Sequence, residues 1–135
     1  MDSAPRLLKI LESLAAQEVE YILVGGMAAI LGGAPISTFD LDIVFRKTDE
    51  NRSRLLAALQ ALDARYLDPA GRHLTPDAGK IASLRLHRLV TAHGPLDAME
   101  AIGNGLSYDD LVGDTQLSEV NGISVQVLGL ESIIL

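Results

Sequence analysis

Residues 21–45 read YILVGGMAAILGGAPISTFDLDIVF, and the placement of this stretch decides the fold. The apolar run Tyr21-Ile22-Leu23-Val24 is short and branched, as a buried strand is, and it stops at Gly25-Gly26. Met27, Ala28, Ala29, Ile30 and Leu31 follow at once as helix formers, and Gly32-Gly33-Ala34-Pro35 ends them. A second strand is expected over residues 40–45, where Asp40 and Asp42 alternate with Leu41 and Ile43. Successive side chains of a strand point to opposite faces. Both carboxylates therefore share one face, while Leu41 and Ile43 anchor the other in a core.

Two carboxylates one pleat apart repel each other, and a divalent cation removes that objection. Magnesium prefers oxygen ligands and is usually held by one or two carboxylates together with substrate phosphates. A strand that ends in two glycines before a helix supplies the complementary half. Its backbone amides are unpaired, the helix dipole favours negative charge, and the missing side chains let a phosphate approach. Each piece also has a plainer account. An Asp-Leu-Asp triplet in an acidic chain can mark a solvated turn, and Gly25-Gly26 can be a tight turn required by packing. An unpaired charge inside an apolar strand is costly, however, which favours a site for Asp40 and Asp42.

A Gly-Gly turn after a strand, followed by Asp-hydrophobic-Asp on the next strand, resembles the nucleotidyltransferases of the DNA polymerase beta superfamily. It resembles especially the small bacterial members, which include type IV toxin and minimal nucleotidyltransferase proteins. Gly25, Gly26, Asp40 and Asp42 carry the likeness, which extends from about Tyr21 to the C-terminus. It implies a third carboxylate on a later strand, and Asp97 in Gly94-Pro95-Leu96-Asp97-Ala98-Met99 stands in that position. Many relatives carry an arginine near the position of Ile36; here Ser37 and Thr38 remain as hydroxyl donors. The implied fold class is α+β, a two-layer mixed nucleotidyltransferase-like sheet with helices packed on one face.

Composition sets the outer limits. The chain has 135 residues, 48% of them hydrophobic and only 4% aromatic, so one domain with an aliphatic core is expected over residues 1–135. The absence of cysteine excludes disulfides and thiolate metal sites. No basic leader or long apolar run is visible, so a cytoplasmic protein without a membrane partner is expected. Eleven Lys and Arg against eighteen Asp and Glu give a net charge of -7, which argues against a broad nucleic-acid footprint. Local basic groups are Arg46-Lys47 with Arg52 and Arg54, and Arg85 with Arg88; solvated element faces account for them more simply than a nucleic-acid patch does.

Elsewhere the pattern predicts an amphipathic helix over residues 5–17, with Leu7, Leu8, Leu11 and Leu14 inward. Thr48 caps a second helix whose stripe is Leu55, Leu56, Leu59 and Leu62. Residues 63–80 read as a long loop, with Arg72, His73 and Lys80 as candidate phosphate or acceptor contacts if it is not a plain surface loop. Residues 81–86 alternate like a strand that Leu89-Val90-Thr91 continues up to a turn at His93-Gly94-Pro95. A strand over residues 96–101, returning antiparallel beside residues 40–45, would bring Asp97 to the first two acids; otherwise Asp97 is a surface acid near a turn. His87 and His93 stand alone, without metal-ligand spacing. Ser107 and Asp110 form a capping box, and Asn121-Gly122 joins two strands as a hairpin turn. Residues 129–135 begin an apolar helix that either docks its end in the core or continues in a further helical segment.

The resemblance implies metal-dependent transfer of a nucleoside monophosphate from a nucleoside triphosphate such as ATP to a hydroxyl acceptor. Asp40, Asp42 and Asp97 would be the catalytic, metal-holding acids for two Mg2+ ions, with Mn2+ as a substitute. Gly25, Gly26, Ser37 and Thr38 would hold the phosphates. The acceptor stays open among a protein, a tRNA end and a small molecule such as an aminoglycoside. The competing reading is a non-catalytic nucleotide-sensing module, or a toxin-antitoxin component bound to a cognate antitoxin. A dinucleotide-binding domain is weaker, because the third glycine is absent at the proper spacing.

Overall fold

The structure is a computed structural model that describes residues 3–25 and 41–129. Helix α1 (Ser3–Ala16) leads into strand β1 (Tyr21–Val24), and β2 (Leu41–Phe45) precedes helix α2 (Asp49–Ala61). Strand β3 (Arg65–Tyr66), helix α3 (Ala78–Ser83), β4 (Leu86–Thr91) and β5 (Gly94–Met99) form the middle of the chain. A small ladder, β6 (Ala101–Ile102) with β7 (Leu106–Ser107), leads to helix α4 (Tyr108–Leu111) and then to the hairpin β8 (Thr115–Val120) and β9 (Ile123–Leu128). Seven strands make one mixed sheet in the order β3-β4-β5-β2-β1-β9-β8. Among the described residues no helix is long and apolar enough to cross a membrane.

Alternation divides the sheet cleanly. On one face Leu23, Leu41, Ile43, Phe45, Leu96, Ala98, Val125 and Val127 are buried beneath α1 and α2, which contribute Leu7, Ile10, Leu11, Leu14, Leu55, Ala58 and Leu59. The opposite face is apolar only in part: Ile22, Val24, Val44 and Leu128 pack against Tyr108 and Leu111 of α4. The rest of that face carries the acids.

Local signals explain most boundaries. Thr48 accepts a hydrogen bond from the Asn51 amide at 3.2 Å and so starts α2. The Asp110 carboxylate accepts from the Ser107 amide and hydroxyl at 2.9 and 3.1 Å. Asn121 and Gly122 both take positive φ, +49° and +83°, as a two-residue hairpin turn between twisted strands requires.

Three expectations need correction. Residues 63–80 are not one loop, because β3 pairs with β4 and Asp77 accepts from the Lys80 amide at 2.8 Å to start α3. That cap carries residues 78–83 into a helix, with Ile81 buried against the core, so residues 81–83 are helical instead of opening the strand that the alternation over residues 81–86 suggested. Finally, β5 runs parallel to β2, not antiparallel. The chain lays down β4 in the outer position first, and a turn at Ala92-His93 sends β5 back between β4 and β2. Gly94 and Pro95 accordingly open the strand instead of forming the turn, and the strand ends at Met99 instead of residue 101.

One buried polar side chain ties this arrangement together. Asn51 Oδ1 accepts from the Glu20 amide at 2.7 Å, while Nδ2 donates to the carbonyls of Glu20 and Arg46 at 2.9 and 2.8 Å. It thus bonds α2 to the start of β1 and the end of β2. His87 is also fully buried, with Nδ1 2.8 Å from the Tyr66 hydroxyl and its ring tilted against Phe45. It is a core residue.

Asn51→Ala leaves the Glu20 amide and the Arg46 carbonyl without their side-chain partner and should destabilise the chain by about 2–4 kcal/mol in urea unfolding. Burial holds the His87 imidazole below its ordinary value of 6.5. The unfolded chain then binds a proton there that the folded chain resists, so stability should fall as pH drops below that value. Unfolding midpoints compared at about pH 7.5 and about pH 5.5 should show this loss, and His87→Phe should reduce it; an equal loss in the variant would assign it elsewhere.

Candidate active site

The sheet register brings together acids that are far apart in sequence. In the parallel β2–β5 pair, Asp42 lies directly opposite Asp97, with Leu41 opposite Leu96 and Ile43 opposite Ala98 on the core side. Cross-strand partners share a face, so both carboxylates stand on the side away from α1 and α2. Each is half-buried. Asp97 is therefore brought to Asp42 through a parallel register, while Asp40 lies outside the described residues.

The glycine corner meets the same acid. Val24 is opposite Asp42 in the antiparallel β1–β2 pair, and Gly25 follows with φ +73°. A Cβ built on Gly25 would collide with the Asp42 carboxylate and lie only 3.2 Å from its Cβ and Cγ. A side chain here meets both a left-handed backbone and an occupied volume, so glycine is required on two counts.

A cavity opens on each side of the acid pair. One, of about 430 Å³, is lined by Gly25 and Asp42 together with apolar groups that include Val24, Ile102, Leu111 and Leu128. The other, of about 330 Å³, is lined by Asp97, Arg88, Leu67, Val90 and Pro95, among others. Arg88 lies opposite Asp97 in the β4–β5 register, with Nε 4.0 Å from its Oδ2. Sequence reading placed Arg88 only in a general basic group. Its alternation with buried His87 and Leu89 is visible in the sequence, but the turn expected at His93-Gly94-Pro95 hides its register with Asp97.

Asp40, Gly26, Ser37 and Thr38, like Ile36, lie outside the described residues. The first basic group is largely engaged. Arg46 pairs with Glu20 at 2.8 Å and Asp109 at 3.2 Å, Arg52 with Glu100 at 3.0 Å, and Arg54 with Glu50 at 3.3 Å. Arg72, a candidate contact, is committed to Asp68, whose carboxyl is held down to about 2 by the hydrogen bonds it accepts. Lys80 donates to the Thr75 carbonyl at 3.1 Å.

Among the described residues no group of three acids or histidines gathers tightly enough for a metal. Asp42 and Asp97 nevertheless offer the donor chemistry a hard divalent cation takes, two carboxylates in one row, and the missing Cβ of Gly25 keeps backbone close beside them. The described part of the site fits such an ion.

Comparison with curated proteins gives no match. Solved structures share the fold at low sequence identity. The Thermotoga maritima protein TM1012, provisionally described as a nucleotidyltransferase, is 19% identical with a TM-score of 0.60, over 95% of this chain and 78% of that one. The antibiotic-resistance factor ANT(2'')-Ia in solution is 20% identical with a TM-score of 0.60, over 99% and 70% of the two chains. A crystal structure of ANT(2'')-Ia with adenylyl-2''-tobramycin is 18% identical with a TM-score of 0.62, over 99% and 73%. The family described as aminoglycoside-2''-adenylyltransferase matches residues 6–133, nearly the whole chain. The chain belongs to that family, and so to the nucleotidyltransferases that the paired acids and the glycine corner resemble.

Proposed function

We propose that this chain, acting as a single nucleotidyltransferase-like domain, transfers a nucleoside monophosphate from a nucleoside triphosphate to a hydroxyl acceptor. The observation that carries the reading is the in-register pair Asp42 and Asp97 beside Gly25. A row of two carboxylates against a side-chain-free corner suits polyphosphate with its cations. Family membership supports the same reaction class.

Asp42 and Asp97, with Asp40, would hold magnesium. Such ions, when bound, neutralise phosphate charge and acidify a hydroxyl. The chain's own part is placement. Gly25 and Gly26 would let the beta and gamma phosphates reach backbone amides, and Ser37 and Thr38 would donate from their hydroxyls. The acceptor oxygen would bond to the alpha phosphorus as the bond to pyrophosphate breaks, and the hydroxyl proton would pass to solvent. Asp97 stands on the far side of Asp42 from Gly25, so the acceptor would approach across β5 while the phosphates lie across β1.

Asp42→Asn and Asp97→Asn should each lower pyrophosphate release from ATP by about 10²–10³-fold with an unchanged far-ultraviolet spectrum. Retention of activity in Asp42→Asn would end the assignment. Binding of magnesium and ATP by calorimetry without release, whatever acceptor is supplied, would instead leave a nucleotide-sensing module. Gly25→Ala should lower both activity and stability, the latter by about 1–3 kcal/mol, since it strains the backbone and displaces Asp42. Wild-type values for both would show that the corner tolerates a side chain.

A further inference from the structure

The two edges of the sheet are finished differently. At one edge β3 is only two residues long, carries Arg65, and donates its outer amide, that of Tyr66, to the Leu74 carbonyl at 2.7 Å. Shortness, charge and a covering loop are the usual means by which an edge is kept from pairing with another chain. At the other edge β8 has none of them. Its six residues, TQLSEV, include no proline and no basic side chain, and they pair with β9 in an unbroken register without a bulge. Leu117 at its middle is 74% exposed, more than any other large hydrophobic residue among those described.

Val120 stands opposite Ile123 across the two-residue turn, so this pair exchanges backbone hydrogen bonds, and bonded pairs then alternate along the hairpin. Ser118 and Gln116 therefore bond toward β9, whereas the amides and carbonyls of Thr115, Leu117 and Glu119 point away from the sheet. Among the described residues no strand continues the sheet beyond β8. We propose that this edge pairs antiparallel with the same edge of a second copy of the chain, with Leu117 opposite Leu117 of that copy. The register is self-complementary, as a two-fold contact must be. Leu117 covers its counterpart, and Glu119 faces the neutral Thr115 instead of another acid. A register centred on Glu119 would set the two carboxylates side by side, and one centred on Thr115 would leave Leu117 opposite Gly113. Centres at Gln116 or Ser118 would set Leu117 opposite Thr115 or Glu119, without its apolar match.

The pairing leaves both candidate active sites open. β9 and β1 lie between β8 and β2, so the contact does not reach Asp42. Opposed residues share a face, and Leu117 is opposite Gln126, which alternates with the core residues Val125 and Val127. Leu117 thus stands on the acid-bearing side, and the acid-bearing faces of the two copies look the same way. Charge distinguishes this partner from a basic strand. A net charge of -7 on each copy opposes their approach, so added salt should strengthen the dimer by screening, whereas a basic segment drawn to Glu119 would be released by salt.

Sedimentation equilibrium of the full chain, from about 1 μM to about 1 mM, should show a reversible shift from one chain to two that moves to lower concentration as salt is raised. Leu117→Lys should weaken the dimer at least about tenfold, because two ammonium groups then stand opposite each other, while its thermal midpoint at low concentration stays that of the wild type. The chain has no cysteine, so single cysteines report the register. Under mild oxidation Leu117→Cys should form an intermolecular disulfide, since opposed residues of a bonded pair have Cα atoms about 5.5 Å apart. Glu119→Cys should cross-link at least about tenfold more slowly, its counterpart lying about 13 Å along the strand. The proposal is overturned if the mass stays that of one chain at the highest concentration and salt, or if Leu117→Lys associates like the wild type. It is equally overturned if Glu119→Cys cross-links as fast as Leu117→Cys, or if an extended lysine-rich peptide shifts the β8 amides of a chain that remains monomeric.

Discussion

The carboxylate of Asp42 fills the space where Gly25 has no side chain, and the geometry of the site depends on that contact. It forms because β1 and β2 pair antiparallel with Val24 opposite Asp42, which places the next residue of β1 directly against the acid. The pairing is held from outside by Asn51, which satisfies backbone groups at the start of β1 and the end of β2 at once. A charged group embedded in an otherwise buried strand is thereby kept at one position instead of swinging toward water.

The two faces of the sheet divide the labour. One is given wholly to stability, with leucines and isoleucines of α1 and α2 filling it. The other is covered only where α4 lays Tyr108 and Leu111 over Ile22, Val44 and Leu128. Beyond α4 the same face turns polar, and a single pleat separates the apolar side chain of Val44 from the acid at Asp42. The site therefore rests on strands whose reverse sides are locked in the core, the kind of rigid support that fixes functional groups in place.

Much of this was legible in the chain. Thr48, Ser107 with Asp110, and Asn121-Gly122 each combine a backbone requirement with the residue that meets it, so their elements fall where expected. The alternation of Asp42 with Leu41 and Ile43 named the right face. Strand direction was not legible, because it depends on which strand takes the outer position, a matter of order in space. Residues 81–86 were misleading for a different reason. Six residues of alternation fit either element, and the Asp77 cap, which decides for helix, lay in a stretch taken for loop. The error at Gly94-Pro95 then concealed Arg88, since shifting a turn by one or two residues changes every partner in the hairpin.

The parallel pairing of β1 with β9, Leu23 beside Val127, joins strands from the two ends of the described residues within the sheet. Loop closure over so long a span is entropically late, whereas the β4–β5 and β8–β9 hairpins are local and can form early. The two preformed halves then have to meet around β1. That docking step can take place only after the residues of β9 have themselves been synthesised.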